Sequence, residues 1–235
     1  MPSAASLQNR ADLAGKTLRV AGLTPLTTID FPGRLAAVIF LQGCPWRCGY
    51  CHNPQLLDAT QPGAMDWAEV LSFVARRMGL IDGVVFSGGE PLLQRDLLAA
   101  LQSVRELGFA TAVHTGGAYP DALQRCLPWL DWVGLDIKAP IRLYDAITTV
   151  PGSGVRAWAS LLRVLEAGVD LECRTTWREE LFSADALKLM ADELAKAGVR
   201  RWVLQRCRIP GRLDRHPDAV LLADLATRVE LFEYR

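Results

Sequence analysis

Residues 36–51 read Ala36-Ala-Val-Ile-Phe-Leu41-Gln-Gly43-Cys44-Pro-Trp-Arg-Cys48-Gly-Tyr-Cys51. An apolar run typical of a buried strand leads into a glycine and then into three cysteines spaced C-x3-C-x2-C. Thiols this close together in a loop are typical of a metal centre, and three are one fewer than a structural zinc site uses. An iron–sulfur cube held by three thiolates keeps one iron open to another ligand. The stretch therefore predicts a reactive iron–sulfur site at the end of a buried strand.

Zinc and ordinary core cysteines are the two alternatives for this motif. A zinc site would take His52 as its fourth ligand, although a zinc knuckle usually supplies a second pair of ligands further along the chain. Three thiols within eight residues of a loop fit poorly with core cysteines. Cys126, Cys173 and Cys207 are isolated beside apolar segments, which is typical of small buried hydrophobic residues. Because only one three-cysteine set is present, we expect a single cluster.

The composition predicts a cytoplasmic protein with a sizeable core. Half of the 235 residues are apolar, and 26 Lys and Arg residues balance 26 Asp and Glu residues. This balance indicates neither a nucleic-acid surface nor a polybasic membrane-seeking face. The longest apolar run, 35–41, is too short to cross a bilayer, and residues 1–10 lack the pattern of a signal peptide. The six cysteines do not resemble a secreted disulfide framework.

Apolar strands alternate with helical segments along the chain. The pattern predicts strands at 17–23, 36–41, 83–86, 110–114, 132–137, 170–176, 201–206 and a short one at 229–234. It predicts helices at 66–78, 92–107, 120–127, 154–167, 184–197 and 219–228. This order favours one α/β domain over 16–235 with a parallel sheet, after a flexible arm at 1–15. Six strand–helix units fall short of the eight in a closed barrel, so we expect an open partial barrel or a wound sheet.

Polar and glycine-rich segments follow almost every predicted strand. In chain order they are Cys44, Ser87-Gly88-Gly89-Glu90, His114-Thr115, Asp136 with Lys138, Arg174, and Gln205-Arg206-Cys207. Asp136 and Lys138 are two positions apart and therefore point to the same side of their strand. The carboxyl ends of parallel strands meet at one edge of a sheet, where ligands collect. We therefore expect these residues to share a rim with the cysteine loop.

Two motifs together resemble the radical S-adenosylmethionine (SAM) superfamily. C-x3-C-x2-C with Tyr50 before the last cysteine is one signature of that superfamily, and Ser87-Gly88-Gly89-Glu90-Pro91 matches its second motif at the expected place. More narrowly, residues 30–34, 42–54 and 136–138 are similar to the glycyl-radical-enzyme activating enzymes. Among these, the chain most resembles the activating proteins of anaerobic ribonucleoside-triphosphate reductase. The resemblance covers most of the chain.

The resemblance implies a partial (β/α)6 barrel of the radical SAM type, with parallel strands and outer helices, one [4Fe-4S] cluster, and SAM. Cys44, Cys48 and Cys51 would bind the cluster, and SAM would chelate the open iron. A one-electron donor such as flavodoxin or ferredoxin would drive cleavage of SAM to methionine and a 5′-deoxyadenosyl radical. That radical would abstract a hydrogen from a backbone glycine of the partner, expected to be anaerobic ribonucleoside-triphosphate reductase. No side chain is expected to be catalytic, because the cofactors carry the chemistry.

The resemblance also implies which residues hold SAM. The segment Ser87-Gly88-Gly89-Glu90 is expected at the methionyl amine, because glycine allows close backbone approach and carbonyl and carboxylate oxygens suit an ammonium group. Tyr50 is expected beside the adenine, Lys138 near the SAM carboxylate, and Asp136 near the cofactor or a bound cation. His114 stands where related enzymes carry an aspartate that serves this cation, which puts the cation site in question.

Arg174 resembles an arginine that reaches toward SAM, with Arg178 as a competing candidate. Plainer interpretations of these residues stay open. Gly88 and Gly89 also suit a tight strand-to-helix turn before Pro91. Tyr50 suits a loop aromatic that fills a gap, Asp136 and Lys138 suit a mutual salt bridge, and Arg174 suits a solvent-facing charge. Asp30 suits either a turn or a polar group at the mouth of the site.

Two other functions remain as alternatives. One is another small radical SAM enzyme that acts on a small molecule, such as a deazapurine synthase. The cysteine spacing, residues 30–33 and the pair Asp136 and Lys138 favour the activating enzyme over it. The other is a non-enzymatic metal-binding protein, which would not bind SAM; isothermal titration after anaerobic reconstitution separates it from both enzymes.

The single cysteine motif predicts the iron content of the reconstituted protein. We expect iron near four per chain, on the order of one cubane cluster. Replacement of Cys44, Cys48 and Cys51 together by Ala should abolish both the cluster and reductive SAM cleavage, measured by iron analysis and by methionine release. An iron content near eight per chain would contradict the single cluster, and cleavage retained by the triple variant would contradict the ligand assignment.

Overall fold

The computed structural model describes residues 18–207 and 216–235. Eight strands form one sheet in chain order, namely β1 (Val20–Thr27), β2 (Ala36–Leu41), β3 (Gly83–Gly88), β4 (Ala110–Thr115), β5 (Trp132–Asp136), β6 (Asp170–Trp177), β7 (Arg201–Arg206) and β8 (Leu231–Tyr234). β1 runs antiparallel to β2, and every later pair of neighbours is parallel. Over the described ranges no pairing joins β8 back to β1, so the sheet is open. This confirms the predicted partial barrel.

In the part of the chain that the structure describes, seven α-helices connect the parallel strands. They are α1 (Trp67–Ala75), α2 (Leu97–Glu106), α3 (Pro120–Cys126), α4 (Tyr144–Thr148), α5 (Ser153–Ala167), α6 (Ala184–Ala197) and α7 (Ala219–Ala226). Side-chain caps begin several of them: the Asp66 carboxylate accepts from the amides at the start of α1, and the Ser183 hydroxyl does so for α6. Each of the six strands from β2 to β7 is followed by at least one helix. These are the six strand–helix units that the alternation predicted.

Two predicted elements differ clearly from the structure, and one segment has helices that were not predicted. The first strand was predicted at 17–23, but β1 begins at Val20 and continues to Thr27. The helix predicted at 92–107 is divided into a 3-10 turn, Pro91–Leu93, and α2. The segment Ile141–Thr148, for which nothing was predicted, forms a 3-10 turn followed by α4. The predicted arm at 1–15 lies outside the described residues, and the single domain over 16–235 stays a prediction.

The division of the predicted helix has a cause in tertiary contacts. The side chain of Gln94 is buried, and its amide group donates to the carbonyl oxygens of Arg19 (3.0 Å) and Gln42 (2.9 Å). Its carbonyl oxygen accepts from the Arg19 amide at 2.8 Å. Gln94 takes an extended backbone to reach these partners, so the helix cannot run through it. Hydrogen bonds to residues 52 and 75 positions away are not visible in a local pattern.

Strand alternation places two apolar cores on opposite faces of the sheet. The larger core includes Ile39, Phe86 and Leu135 and packs against the helices. The smaller core lies inside the barrel and consists of Phe31, Ala36, Val38, Val85, Ala112 and Trp132. Apart from Phe31, the residues of the smaller core lie in strands, before the polar carboxyl ends of those strands. The barrel interior is therefore apolar towards the amino ends of the strands and polar at the rim.

Phe31 closes the apolar part of the barrel interior. Its side chain is 3% exposed, and its ring stacks on that of Trp132 with centroids 6.0 Å apart. Phe31→Ala should lower the free energy of unfolding by about 3–5 kcal/mol, because it leaves a cavity in the smaller core. Urea unfolding followed by circular dichroism measures this loss. Ile29→Ala, which truncates a neighbouring side chain that is 79% exposed, should stay within about 0.5 kcal/mol of the unchanged protein. Equal losses in both variants would contradict the packing role.

Candidate cofactor site

All twelve residues predicted for the site line one cavity of about 300 Å³ at the carboxyl ends of the strands. They are Cys44, Cys48, Tyr50, Cys51, Ser87, Gly88, Gly89, Glu90, His114, Asp136, Lys138 and Arg174. They come from the loops and strand ends of β2 through β6. The volume lies at the lower end of the range for small-molecule sites. The structure therefore brings the predicted residues together, and their individual roles stay predictions.

The glycine turn after β3 lies directly against the start of the cysteine loop. The Gly89 amide donates to the Leu41 carbonyl at 3.0 Å, and the Glu90 amide donates to the Gly43 carbonyl at 2.8 Å. A Cβ atom at Gly88 would collide with the backbone of Leu41, and one at Gly89 would collide with that of Gly43. Gly88 also has a positive φ of 119°, which disfavours other residues. The two glycines thus serve the close approach of two loops as well as a turn.

The Glu90 carboxylate is buried and already has three donors. It accepts from the Thr115 hydroxyl (2.7 Å), the Gly116 amide (3.0 Å) and the Leu92 amide (3.1 Å). Burial raises the pKa of this carboxyl group, while these hydrogen bonds oppose the shift. Glu90 therefore connects the turn after β3 to the turn after β4. Each carboxylate oxygen accepts about two hydrogen bonds, so one further donor still fits on the oxygen that Gly116 contacts.

The three thiols lie in a loop whose backbone is fixed at both ends. The Cys44 amide donates to the Leu57 carbonyl at 3.2 Å, and the Cys51 amide donates to the Cys48 carbonyl at 3.0 Å. Burial raises the pKa of the Cys44 thiol to about 12 and also raises that of Cys48, where Lys138 opposes the shift. Positive charge at the site would therefore be needed to stabilise the thiolates, and a bound metal centre would supply it.

The arrangement of the three thiols differs between a single metal ion and an iron–sulfur cluster. Within residues 18–207 and 216–235, no group of three or more His, Cys, Asp and Glu side chains is arranged to hold a single metal ion. In a four-iron cluster the thiolates bind different iron atoms, so they lie further apart than the ligands of one ion. Three thiols around one cavity suit the cluster in their donor chemistry.

A carboxylate between two cations forms the far wall of the cavity. The Asp136 carboxylate contacts the Lys138 ammonium at 3.2 Å and the Arg174 guanidinium Nε at 3.0 Å. Burial opposes ionisation of Asp136, but the two cations outweigh it and lower its pKa to about 2. Burial also opposes the charge of Lys138, and Asp136 outweighs it, so the pKa of Lys138 is raised well above its usual value. The predicted salt bridge is present, and the cavity keeps a net positive charge on this wall.

Two aromatic rings from the cysteine loop face the Lys138 ammonium. Its Nζ lies 5.9 Å from the centre of the Trp46 ring and 6.0 Å from that of Tyr50, within cation–π range. The Tyr50 hydroxyl is buried and has no hydrogen-bond partner among the described residues, and the same holds for the Trp46 indole N–H. Buried polar atoms without partners are rare in folded proteins. A polar ligand in the cavity would satisfy the Tyr50 hydroxyl, which fits a cofactor such as SAM.

His114 lines the same cavity as a neutral side chain. Its Nε2 lies 2.8 Å from the Asp30 carbonyl oxygen, and its ring meets the edge of Trp132. Burial, followed by the charge of Arg174, lowers the pKa of His114 to about 3. The neutral imidazole of His114 donates to a carbonyl and, unlike the aspartate of related enzymes, has no anionic oxygen with which to bind a cation. Asp30 also lines the cavity, as its interpretation at the mouth of the site predicted, and its carboxylate accepts from the Thr27 hydroxyl, as the turn interpretation predicted.

The structure separates the two competing arginines. Arg174 lines the cavity, whereas Arg178 pairs with Glu180 and lines a different, smaller cavity. Sequence reasoning missed Thr115 as the partner of Glu90 and missed Tyr144 altogether. Thr115 belongs to the rim segment after β4, so its position was a usable signal. Tyr144 lies in no motif and no periodic segment, so no signal in the sequence pointed to it.

The family model described as Radical SAM superfamily matches residues 38–177. This range contains β3, β4, β5, β6 and most of β2. It also includes all twelve site residues. The chain belongs to the radical SAM superfamily. It is therefore an enzyme of the radical SAM type, and the cofactors of this superfamily are a [4Fe-4S] cluster and SAM.

Three named relatives resemble the chain in sequence. A Methanocaldococcus jannaschii protein that carries the name of a glycyl-radical enzyme activating enzyme is 29% identical, over 73% of each chain. The pyruvate formate-lyase-activating enzyme of Clostridium pasteurianum is 33% identical over 63% of each chain. The 7-carboxy-7-deazaguanine synthase of Thermococcus kodakarensis is 24% identical over 77% of this chain and 84% of that one. The predicted resemblance to activating enzymes is confirmed.

Solved structures share the fold. A radical SAM methyltransferase from Sphaerobacter thermophilus superimposes with a TM-score of 0.68, at 17% identity, over the whole of this chain and 82% of that one. Streptococcus suis SuiB bound to S-adenosylmethionine gives a TM-score of 0.64 at 15% identity over 83% of this chain. The chain spans about half the length of SuiB. At these identities the likeness concerns the fold alone. Among the described residues, no helix has the length and apolar character needed to span a bilayer.

The buried neutral imidazole of His114 predicts a loss of stability in mild acid. Its pKa is depressed from 6.5 to about 3 in the folded chain, so the unfolded chain binds the proton more tightly, and the stability present above pH 6.5 is lost as the pH falls. Between pH 7 and pH 5 this amounts to about 2 kcal/mol. Urea unfolding at both pH values should show that His114→Gln removes this part of the loss. His52→Gln, which removes an exposed imidazole, should retain it; the same loss in both variants would contradict the assignment.

Proposed function

We propose that the chain is an activating enzyme that installs a glycyl radical in a partner enzyme. The observation that carries the proposal is the assembly of the cysteine loop, the glycine turn and the Asp136 and Lys138 pair around one cavity. The cysteine loop and the Asp136 and Lys138 pair belong to the segments that resemble the activating enzymes, and the glycine turn is the second motif of the superfamily. Two of the relatives are named as activating enzymes, which supports the same function.

The residues at the cavity fit both cofactors of the superfamily. We propose that Cys44, Cys48 and Cys51 hold the [4Fe-4S] cluster through their thiolates. A cluster bound by these thiolates would supply, when reduced, the electron for SAM cleavage and thus the radical for hydrogen abstraction. The protein supports this chemistry by holding its two reactants in place and by keeping water out.

The remaining site residues have roles in binding SAM under this proposal. The carbonyl groups of the Ser87–Gly89 segment would accept from the methionyl amine, and Glu90 holds that segment against the turn after β4. Lys138 attracts the SAM carboxylate, since its ammonium is the charged group beside the cysteine loop. Tyr50 would lie beside the adenine, with its unpartnered hydroxyl available to the ligand. Arg174 keeps Asp136 ionised, and His114 lines the cavity as a neutral donor.

A second cavity favours a polypeptide substrate. It measures about 1030 Å³ and shares Asp30, His52, Arg174 and Gln205 with the cofactor cavity. It lies between the loop that follows β1 and the strands β6 to β8, which is the open side of the barrel. A volume well above that of the cofactor cavity, joined to it through shared walls, suits entry of an extended chain segment. We therefore propose that the substrate glycine reaches the cofactors through this cavity.

We further propose that the partner is anaerobic ribonucleoside-triphosphate reductase and that flavodoxin or ferredoxin is the electron donor. The support is that residues 30–34, 42–54 and 136–138 resemble the activating enzymes, and that among these enzymes the chain most resembles the activating proteins of that reductase. The cytoplasm is the proposed compartment, because all six cysteines are free thiols and a reducing environment keeps them so. Neither nucleic acid nor membrane is part of the proposal.

The deazaguanine synthase relative supports one alternative, a radical SAM enzyme that acts on a small molecule. That relative is matched over 84% of its length, so the fold and the cofactor motifs alone do not separate the two functions. The substrate decides between them. An activating enzyme leaves the radical on a protein, whereas a synthase releases a changed small molecule.

Electron paramagnetic resonance tests the proposal directly. Reduced, reconstituted enzyme mixed with SAM and anaerobic ribonucleoside-triphosphate reductase should produce the doublet of a glycyl radical on the reductase. The C44A/C48A/C51A variant serves as the matched control and should produce none. A doublet on pyruvate formate-lyase but not on the reductase would overturn the partner and keep the activating function. SAM cleavage without a doublet on either enzyme would overturn the activating function.

A further inference from the structure

Tyr144 lies outside the cofactor cavity and contacts both the end of β5 and the cysteine loop, which line it. The side chain is fully buried, and its hydroxyl lies between two backbone groups at the end of β5. It donates to the Asp136 carbonyl at 3.1 Å and accepts from the Lys138 amide at 3.1 Å. The phenol thus holds the backbone that carries both charged side chains of the far wall.

The topology of the sheet explains why these backbone groups need a partner. The Ile137 amide donates to Arg174 of β6, and alternation along a strand turns the backbone groups of residues 136 and 138 to the other side, towards β4. The pairing of β4 with β5 ends at Thr115 and Leu135. The Tyr144 hydroxyl therefore replaces the hydrogen bonds of a strand that has already ended.

The same helix also holds the middle of the cysteine loop. The Tyr144 ring meets the Trp46 ring edge to face, with centroids 5.8 Å apart. At the other end of α4, the Thr148 carbonyl accepts from the Arg47 amide at 2.9 Å. Residues 46 and 47 lie between Cys44 and Cys48, so α4 contacts the loop at two points between two predicted cluster ligands. One five-residue helix thereby ties the cysteine loop to the strand that carries Lys138.

The contacts that hold α4 make it a rigid connection. The Asp145 carboxylate accepts from the Gly152 amide (2.9 Å) and from the amide (3.1 Å) and hydroxyl (3.0 Å) of Ser153 at the start of α5. The Thr148 hydroxyl contacts that of Ser153 at 2.6 Å. Thr149, directly after the helix, is the one non-glycine residue of the described ranges with a positive φ, 58°. A β-branched residue in that region is strained, and the contacts around α4 maintain the strain.

We propose that Tyr144 is a positioning residue that sets the Lys138 ammonium relative to the cluster loop. Through it, α4 fixes the distance between the group that attracts the SAM carboxylate and the thiols that hold the cluster. This inference rests on the cofactor site of the superfamily, and it is independent of which substrate receives the radical. Groups behind metal ligands and cofactor-binding side chains tune a site in this way without touching the reacting atoms.

Tyr144→Phe tests the proposal, because it removes the hydroxyl and keeps the ring against Trp46. In the reconstituted enzyme we expect SAM affinity, measured by isothermal titration, to fall by about 10- to 100-fold. The electron paramagnetic resonance spectrum of the reduced cluster should also change less on addition of SAM. Hydrogen exchange read by mass spectrometry should become faster in the peptide that contains Lys138, whose amide loses its acceptor. Tyr234→Phe, which removes a phenol hydroxyl at the far edge of the sheet, is the matched control and should leave all three unchanged.

A second variant decides the case if Tyr144→Phe fails to fold. Asp145→Ala loosens α4 from α5 through an exposed side chain outside the cavity, and it should weaken SAM binding by about 3- to 10-fold. Asp121→Ala removes an exposed aspartate of α3 and is its control. Unchanged SAM affinity and unchanged cluster spectra in the folded variants would overturn the proposal. Loss of SAM affinity in both variants, without loss in either control, supports it whatever the substrate enzyme proves to be.

Discussion

The backbone of Gly88 and Gly89 lies in direct contact with the backbone of Leu41 and Gly43, and the amides of Gly89 and Glu90 donate to the Leu41 and Gly43 carbonyls. No side chain fits in this space, so the contact is available only to glycine. This backbone contact fixes the turn after β3 against the start of the cysteine loop. Because every later strand pairs in register with its neighbour, the position of these two loops sets the rest of the rim.

Charge compensation is the second requirement of this rim. Burying an ionised group is costly unless it is paired or hydrogen-bonded, and each charged group in the cavity meets that condition. Asp136 lies between two cations, Glu90 has three donors, and His114 stays neutral. The apolar core around Phe31 and Trp132 closes the barrel behind them. The result is a preorganised polar site on an apolar floor, which suits a charged cofactor that must be kept from water.

Sequence patterns succeeded where local signals bound an element on both sides. The strands at 36–41 and 201–206 and the helix at 184–197 have the predicted bounds, since apolar runs or a serine cap and a closing glycine mark their ends. Sequence patterns failed where contacts with a distant part of the chain set the backbone conformation. Gln94 breaks a predicted helix because its side-chain amide binds the backbone of Arg19, just before β1, and of Gln42, just after β2. The helix α4 is too short to show a period, and tertiary contacts stabilise it.

The sequence by itself determined the family, the order of strands and helices, and the identity of the residues at the rim. These follow from spacing, periodicity and the rule that carboxyl ends of parallel strands share one edge. Only the tertiary structure decided how those residues are held. That Glu90 binds Thr115, that Arg174 and not Arg178 faces the cavity, and that Tyr144 bridges β5 to the cysteine loop depend on contacts between separate strand–helix units. Such contacts are set by how the units pack, and no local pattern in one unit encodes the position of another.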